Sequence, residues 1–228
     1  MGPNERLIAI VGRLDVRPVV RLSLPARRLL AYLALRGMPV TRSRAACELW
    51  PDAPEETGRA NLRRSLWHLP PGWTETIGDE IFLDAECDLP RAHRVAAFAL
   101  AGEAMTFDEI ELLSNDILPG WHDEWVMPSQ NSFRMLRVQA LEAACRTMTR
   151  TEYFALATQA GSAALVAEPF RESAAEALIE AHLAQRNRYE AVQCYRDLAK
   201  RLADELGILP DVALTQRMDA IRQLRSAA

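Results

Sequence analysis

Cysteine is scarce in these 228 residues: four thiols, at Cys47, Cys87, Cys145 and Cys194, with no CxxC pair and no HxxxH spacing to accompany them. That scatter offers neither a disulfide framework nor a zinc-type ligand set, so the thiols read as reduced core residues. Long apolar runs are missing too. None approaches the roughly 20 residues needed to cross a bilayer, and the N-terminus lacks the basic, apolar, small-residue order of a secretion signal. A cytoplasmic protein with no membrane partner is expected. The signatures of catalysis are also absent: no glycine-rich phosphate loop, no GxSxG, no HExxH and no compact Ser/His/Asp set. The expectation is a non-enzyme without a cofactor. Lysine is almost missing, Lys200 being the only one, so the positive charge is carried by arginine.

What is present is an ordinary globular composition, 49% hydrophobic and 25% charged, long enough for two modest domains. The net charge of −4 hides an asymmetry. Ten arginines (17, 21, 27, 28, 36, 42, 44, 59, 63 and 64) face four carboxylates between Arg17 and Gly72, which is +6 and leaves −10 for the rest. A basic segment within an acidic chain points to local contact with nucleic acid.

The basic segment has its own order of elements. From Arg6 to Leu24, apolar and polar residues alternate with breaks at Gly12 and Pro18, which predicts two or three short antiparallel strands. A helix follows from Pro25 to Arg36, capped by Ser23 and stopped by Gly37, with Leu29, Leu30, Leu33 and Ala34 inward. A second helix starts after Thr41 and ends at Pro51. The stretch Asp52–Pro70, DAPEETGRANLRRSLWHLP, reads as a third, with Asp52 as cap and Glu55 completing a capping box. Leu62, Leu66 and Leu69 give it an apolar back. The opposite face carries Ala60, Asn61, Arg64, Trp67 and His68, with Arg59 and Arg63 on the flank. Residues 73–84 then form a hairpin turning at Gly78-Asp79. Strands, three short helices and a hairpin are the order of a winged helix-turn-helix.

Beyond about Pro90 strand signals vanish. Helices are expected over Gln130–Thr149, Glu152–Val166, Arg171–Gln185, Arg188–Leu206 and Asp211–Arg225, after a turn-rich loop at Leu118–Trp125. A shift of 34 residues aligns Leu141 with Ala175, Ala144 with Leu178, Ala157 with Ala191 and Ala164 with Leu198, a period that fits tetratricopeptide-like helix pairs. The fold class is therefore mainly α with a small β part. A winged helix-turn-helix at residues 1–87 precedes an all-helical tetratricopeptide-like domain at 88–228.

Two sets of motifs carry a family resemblance. Leu29-Leu-Ala-Tyr-Leu-Ala-Leu35, Leu49-Trp-Pro-Asp52 and Arg59-Ala-Asn-Leu-Arg-Arg64 resemble the DNA-binding half of Streptomyces antibiotic regulatory protein type activators. Leu118-Pro-Gly-Trp-His-Asp-Glu-Trp-Val126, Glu168-Pro-Phe-Arg-Glu172, Leu178-Ile-Glu-Ala-His-Leu-Ala184 and Asp204-Glu-Leu-Gly-Ile-Leu-Pro210 resemble the bacterial transcriptional activation domain paired with it. The resemblance implies an OmpR-like winged helix, binding to double-stranded promoter DNA at direct repeats as a dimer, and recruitment of RNA polymerase with its sigma factor. One departure stands out: the hairpin carries Asp79, Glu80 and Asp84 and no cation, whereas a wing entering the minor groove usually carries one.

Arg64 is the expected base contact, and Arg63 and Arg59 the phosphate contacts, with Arg59 equally placed to pair with Glu55 or Glu56. Arg42 and Arg44 open the second helix toward the DNA backbone. Trp67 either touches that backbone or packs under the hairpin, and His68 either donates to phosphate or is simply exposed. Trp121 and Trp125 are expected to pin their loop to the helical core, His182 to be a packed core histidine, and Gly207 to end a helix in the left-handed conformation. Two other functions compete with a DNA-binding activator. One is a protein-interaction module with a degenerate winged helix. The other is a ligand sensor with a pocket between helical repeats.

Overall fold

The computed structural model describes residues 6–223. It is mainly helical with a small β part, and it divides into two compact units: residues up to His93 together with Asn115–Phe133, and Arg94–Ser114 together with the chain from Arg134 onward.

The first unit is a winged helix. Strand β1 (Leu7–Ala9) pairs antiparallel with β2 (Asp15–Arg17) and opens the unit. The other edge of β1 is taken by β6 (Glu86–Cys87), which runs parallel to it and has too little pattern of its own to be legible in sequence. The third alternating run, Val20–Leu24, forms no strand: it lies between Pro18 and Pro25, and both edges of β1 are already occupied. Helix α1 (Leu24–Arg36) starts one residue before its expected proline, with Pro25 in the first turn, where its missing N–H costs nothing. Ser23 stands at the cap but caps only through its carbonyl, which accepts the N–H of Arg27 at 2.9 Å. Gly37 closes the helix at φ 62°. Six consecutive residues, Leu29–Ala34, are buried, so α1 is the central helix and not a one-sided one.

Strand β3 (Val40–Thr41) leads into α2 (Arg42–Leu49), whose first turn is capped by the Thr41 hydroxyl accepting from the Arg44 N–H. Helix α3 (Glu55–Trp67) starts two residues later than a cap at Asp52 implies, and Asp52 caps nothing in it. Pro54 takes the cap position, and a residue preceding proline is steered away from helical geometry. Residues 50–53 form a turn instead, closed by the Ala53 N–H on the Trp50 carbonyl at 3.1 Å. Glu55 and Glu56 still fall in the first turn, where the helix dipole favours them. Strands β4 (Thr74–Ile77) and β5 (Glu80–Leu83) form the hairpin, turning at Gly78 with φ 60°, and β5 pairs on its far side with β3.

Residues 115–133 pack with this unit. The N–H of Leu118 donates to the Ile10 carbonyl at 2.8 Å, and that of Gly12 to Asp116 at 2.7 Å. The sequence expects Trp121 and Trp125 to pin their loop to the helical core. Trp125 packs instead edge-on against Tyr32 of α1, with centroids 5.4 Å apart, and Trp121 packs on Trp125. The reason is chemical: Tyr32 is a large buried aromatic, whereas alanine dominates the buried positions of the other half.

The second unit is helical. Helix α4 (Leu89–Leu100) ends in it, followed by α5 (Phe107–Ser114), α6 (Met127–Arg150), α7 (Phe154–Ala167), α8 (Glu172–Ala184), α9 (Arg188–Arg201), a π-helical turn (Leu202–Leu206) and α10 (Val212–Gln223). The expected end of the last helix, Arg225, lies outside the described residues. All eight residues matched at the 34-residue period are buried, so that period marks packing positions. Gly207 ends the π turn at φ 67°, as its sequence context predicts. Glu142 is a polar anchor here: it accepts from Arg171 at 2.7 Å, Ser173 at 2.9 Å and Arg146 at 3.2 Å. Burial pushes its pKa up, but these donors outweigh it and the carboxyl lies below its usual range.

Helices in this unit approach closely at small residues. A Cβ on Gly161 of α7 would stand 3.0 Å from the Cys145 sulfur and 3.1 Å from Leu178. Gly161→Val should therefore destabilise the protein by about 1–3 kcal/mol through overpacking, read as a lowered urea midpoint at unchanged slope.

Candidate nucleic-acid interface

The buried residues of α3 are Gly58, Leu62 and Ser65, and Leu69, two residues past its end, continues their stripe. This stripe differs from the expected leucine ridge: Ser65 takes the central place and Leu66 is only partly buried. Ser65 can be buried because its hydroxyl donates to the Asn61 carbonyl at 2.9 Å. At about 100° per residue, the point opposite this stripe lies between Ala60 and Trp67, with Arg63 and Arg64 straddling it. Asn61 is half-buried on the flank, His68 is exposed just past the helix end, and Arg59 is exposed on the opposite flank.

Trp67 is 81% exposed, and its ring meets that of His68 edge-on at 5.1 Å. It does not pack under the hairpin. The buried tryptophan next to the hairpin is Trp73, 2% exposed, whose carbonyl accepts from the Asp84 N–H at 2.9 Å. Position around the helix decides this, because Trp67 lies opposite the buried stripe.

On one side of α3 an open cleft of about 630 Å³ is lined by Arg42, Arg59, Arg63, Glu56 and Asp79. Its walls are α2, α3 and the hairpin turn. The N–H of Arg42 donates to the Asp79 carbonyl at 2.9 Å, and its guanidinium reaches the Thr76 hydroxyl at 3.3 Å, tying α2 to the hairpin. Arg59 pairs with Glu55 at 2.7 Å, an exposed pair of the kind that contributes little to stability. Arg63 and Arg64 have no acidic partner among the described residues. The hairpin adds Glu75, Asp79 and Glu80, all exposed and without an ion pair there.

Several arginines of the basic segment are used internally, which a charge count does not reveal. Glu48 on α2 accepts from Tyr32 at 2.8 Å, from Arg44 at 2.8 Å, and from Arg36. Arg36 also lies over the Tyr32 ring, 5.1 Å from its centroid. Arg28 pairs with Asp123. Burial, then the hydrogen bond and charge of Glu48, push the Tyr32 hydroxyl up to about 12. Burial also works against ionising Glu48, but the donors from Arg44 and Tyr32 and the charges of Arg36 and Arg44 win, so its carboxyl lies below the usual range. Arg44 is thereby committed to Glu48 and only partly available to a phosphate.

The thiols need a correction at one position. Cys145 is buried and Cys87 and Cys194 partly so, and burial pushes their pKa values up to about 12, 12 and 11. Cys47 is exposed, because it faces away from the buried Ala45, Ala46 and Leu49 of α2. Among the described residues no group of three or more His, Cys, Asp or Glu side chains is placed to hold a metal, and no helix is long and apolar enough to cross a membrane.

Residues 91–222, more than half of the chain, match the family of the bacterial transcriptional activator domain, and the chain belongs to that family. The role it implies is regulatory and not enzymatic. A solved structure of Mycobacterium tuberculosis EmbR in complex with a low affinity phosphopeptide shares the fold, with a TM-score of 0.69 and 21% identity over 96% of this chain. This chain covers 65% of the length of that EmbR chain. No curated protein matches the sequence.

Glu48 makes a pH-dependent prediction. A carboxyl whose folded pKa is depressed contributes stability in full above its unfolded value, about 4.3, and loses it as pH falls through the folded value. Glu48→Gln should be less stable than wild type by about 1–3 kcal/mol at neutral pH. In urea titrations the gap should close as the solution is acidified below the usual carboxylate range.

Proposed function

We propose that the chain is a sequence-specific DNA-binding transcription activator of the Streptomyces antibiotic regulatory protein type. The observation that carries this reading is the exposed face of α3, with Arg63 and Arg64 free of acids on either side of a small residue, Ala60. A helix with such a ridge fits the major groove, where arginine pairs two-pronged with guanine. Arg64 and Ala60 would read bases. Arg63, Arg59 and Arg42, which line the cleft toward the hairpin, would hold backbone phosphates, with Arg44 and His68 as weaker contacts. Trp67 would lie along the sugar edge at the end of the helix, and Asn61, on the flank, would reach the nearer strand. The acidic hairpin would stay out of the minor groove.

In this reading the protein occupies promoter direct repeats as a dimer, and the helical unit engages RNA polymerase with its sigma factor. Membership in the bacterial transcriptional activator domain family supports the activating role, and the resemblance of the Leu29–Leu35 and Arg59–Arg64 motifs supports the repeat-binding one. A cytoplasmic location follows from the same reading.

Selection on random duplex DNA followed by a salt titration tests this directly. A repeated motif should be enriched, and its affinity should fall steeply with salt. Arg64→Ala should relax specificity at one base position at a cost of about 1–3 kcal/mol. Arg63→Ala should weaken all sequences alike and lower the salt slope by about one. Wild-type binding by both variants would remove α3 from the interface.

A further inference from the structure

A groove of about 620 Å³ lies among α7, α8 and α9. Its wall is apolar at Leu165, Phe170, Leu178 and Leu198, and at its lip Val166 is 80% exposed. Its rim carries Glu190, Asp197 and Glu205. None of these three has an ion pair among the described residues, although Glu142, Glu168 and Glu180 of the same unit are all paired with arginines. Arg201, the cation of the groove, is drawn to the Pro169 carbonyl at 3.4 Å. His182 lines the groove half-buried and is not the packed core residue that its sequence context suggests; burial lowers its pKa and favours the neutral ring. An apolar trough with unpaired carboxylates along its edge fits a segment that offers an apolar side chain between cations.

This chain carries such a segment in its other unit. From Val16 to Cys47 there is no acidic residue. Within that stretch Pro18–Ser23 has neither helix nor strand, and Val19 stands 87% exposed between Arg17 and Arg21. Arg21 has no acidic partner among the described residues, and Arg17 reaches only Asp15, at 4.0 Å. An exposed valine on irregular backbone beside two cations complements the groove in polarity and charge.

We propose that the groove of one copy seats the Pro18–Ser23 segment of a second copy, with Val19 against the apolar wall and Arg17 and Arg21 facing Glu190 and Asp197. The contact is heterologous, joining different surfaces of the two copies, so it propagates head to tail and does not close after one pair. It is small and partly ionic, so it is weak and sensitive to salt. It does not depend on DNA binding, and its test uses none.

Sedimentation velocity of the full chain decides it, over roughly 10 to 200 µM, a range suited to small polar interfaces. Wild type should show a sedimentation coefficient that rises with concentration at low salt and not at high salt. Glu190→Arg with Asp197→Arg should abolish the rise by closing the groove to cations, and Val19→Asp with Arg21→Glu should abolish it by spoiling the segment. All four positions are partly or fully exposed, so circular dichroism should be unchanged. An equimolar mixture of the two double variants retains one good groove and one good segment, and it should form a 1:1 dimer that grows no further. A wild type that stays monomeric overturns the proposal, as does association that survives either double variant. A mixture that remains monomeric also overturns it, because each half of the contact is then needed for some other reason.

Discussion

The exposed arginine face of α3 depends on one packing constraint: α3 is held in the winged helix by the stripe Gly58, Leu62, Ser65 and Leu69. Gly58 is buried against α2, with the Ala46 carbonyl and methyl its nearest neighbours. Burying that stripe orients every other residue of the helix. Arg63, Arg64 and Trp67 point outward because the stripe points inward, and Arg59 is left to its neighbour Glu55. A surface that has to meet a partner without reorganising needs such a fixed back.

Both units stabilise themselves with the same polar device. Glu48 in the winged helix and Glu142 in the helical unit are partly buried carboxylates that each collect several donors, mostly guanidinium groups. A single lysine ammonium would satisfy such a site less well, since arginine's planar fork meets a carboxylate at fixed geometry and remains charged when desolvated. The near absence of lysine is consistent with this use, as it is with a compositional bias of the genome. It also means that a local count of +6 overstates the charge left on the surface. Arg28, Arg36 and Arg44 are engaged inside the unit, leaving Arg42, Arg63 and Arg64 as the principal cations of the α3 side.

Much of the fold was legible because it rests on local pattern. The Thr41 cap, the Gly37 and Gly207 stops, the hairpin at Gly78 and the 34-residue period each follow from chemistry within a few residues or from simple repetition. What was not legible depends on distant partners. The strand Glu86–Cys87 exists because β1 has an open edge, and Trp125 turns to the winged helix because Tyr32 waits there. The start of α3 was misread for a local reason, since the proline at 54 outranks the capping pattern at Asp52. Of the candidate residues on α3, sequence periodicity placed Arg64 on the outward face, where it is exposed. It did not identify the half-buried Glu48 that immobilises Arg44, because an isolated glutamate on a short helix carries no signal of three approaching donors.

The sequence by itself determined the two kinds of architecture, the succession of helices and the basic character of α3, since these follow from periodicity, turn chemistry and the clustering of charge along the chain. The tertiary structure alone decided which arginines have no acidic partner among the described residues, which tryptophan is buried and which faces solvent, and that the helical unit has an apolar groove edged by carboxylates without ion pairs among those residues. The division has a physical cause: helix propensity and caps act over one turn, whereas ion pairing and burial depend on which residues are brought together from tens of positions away.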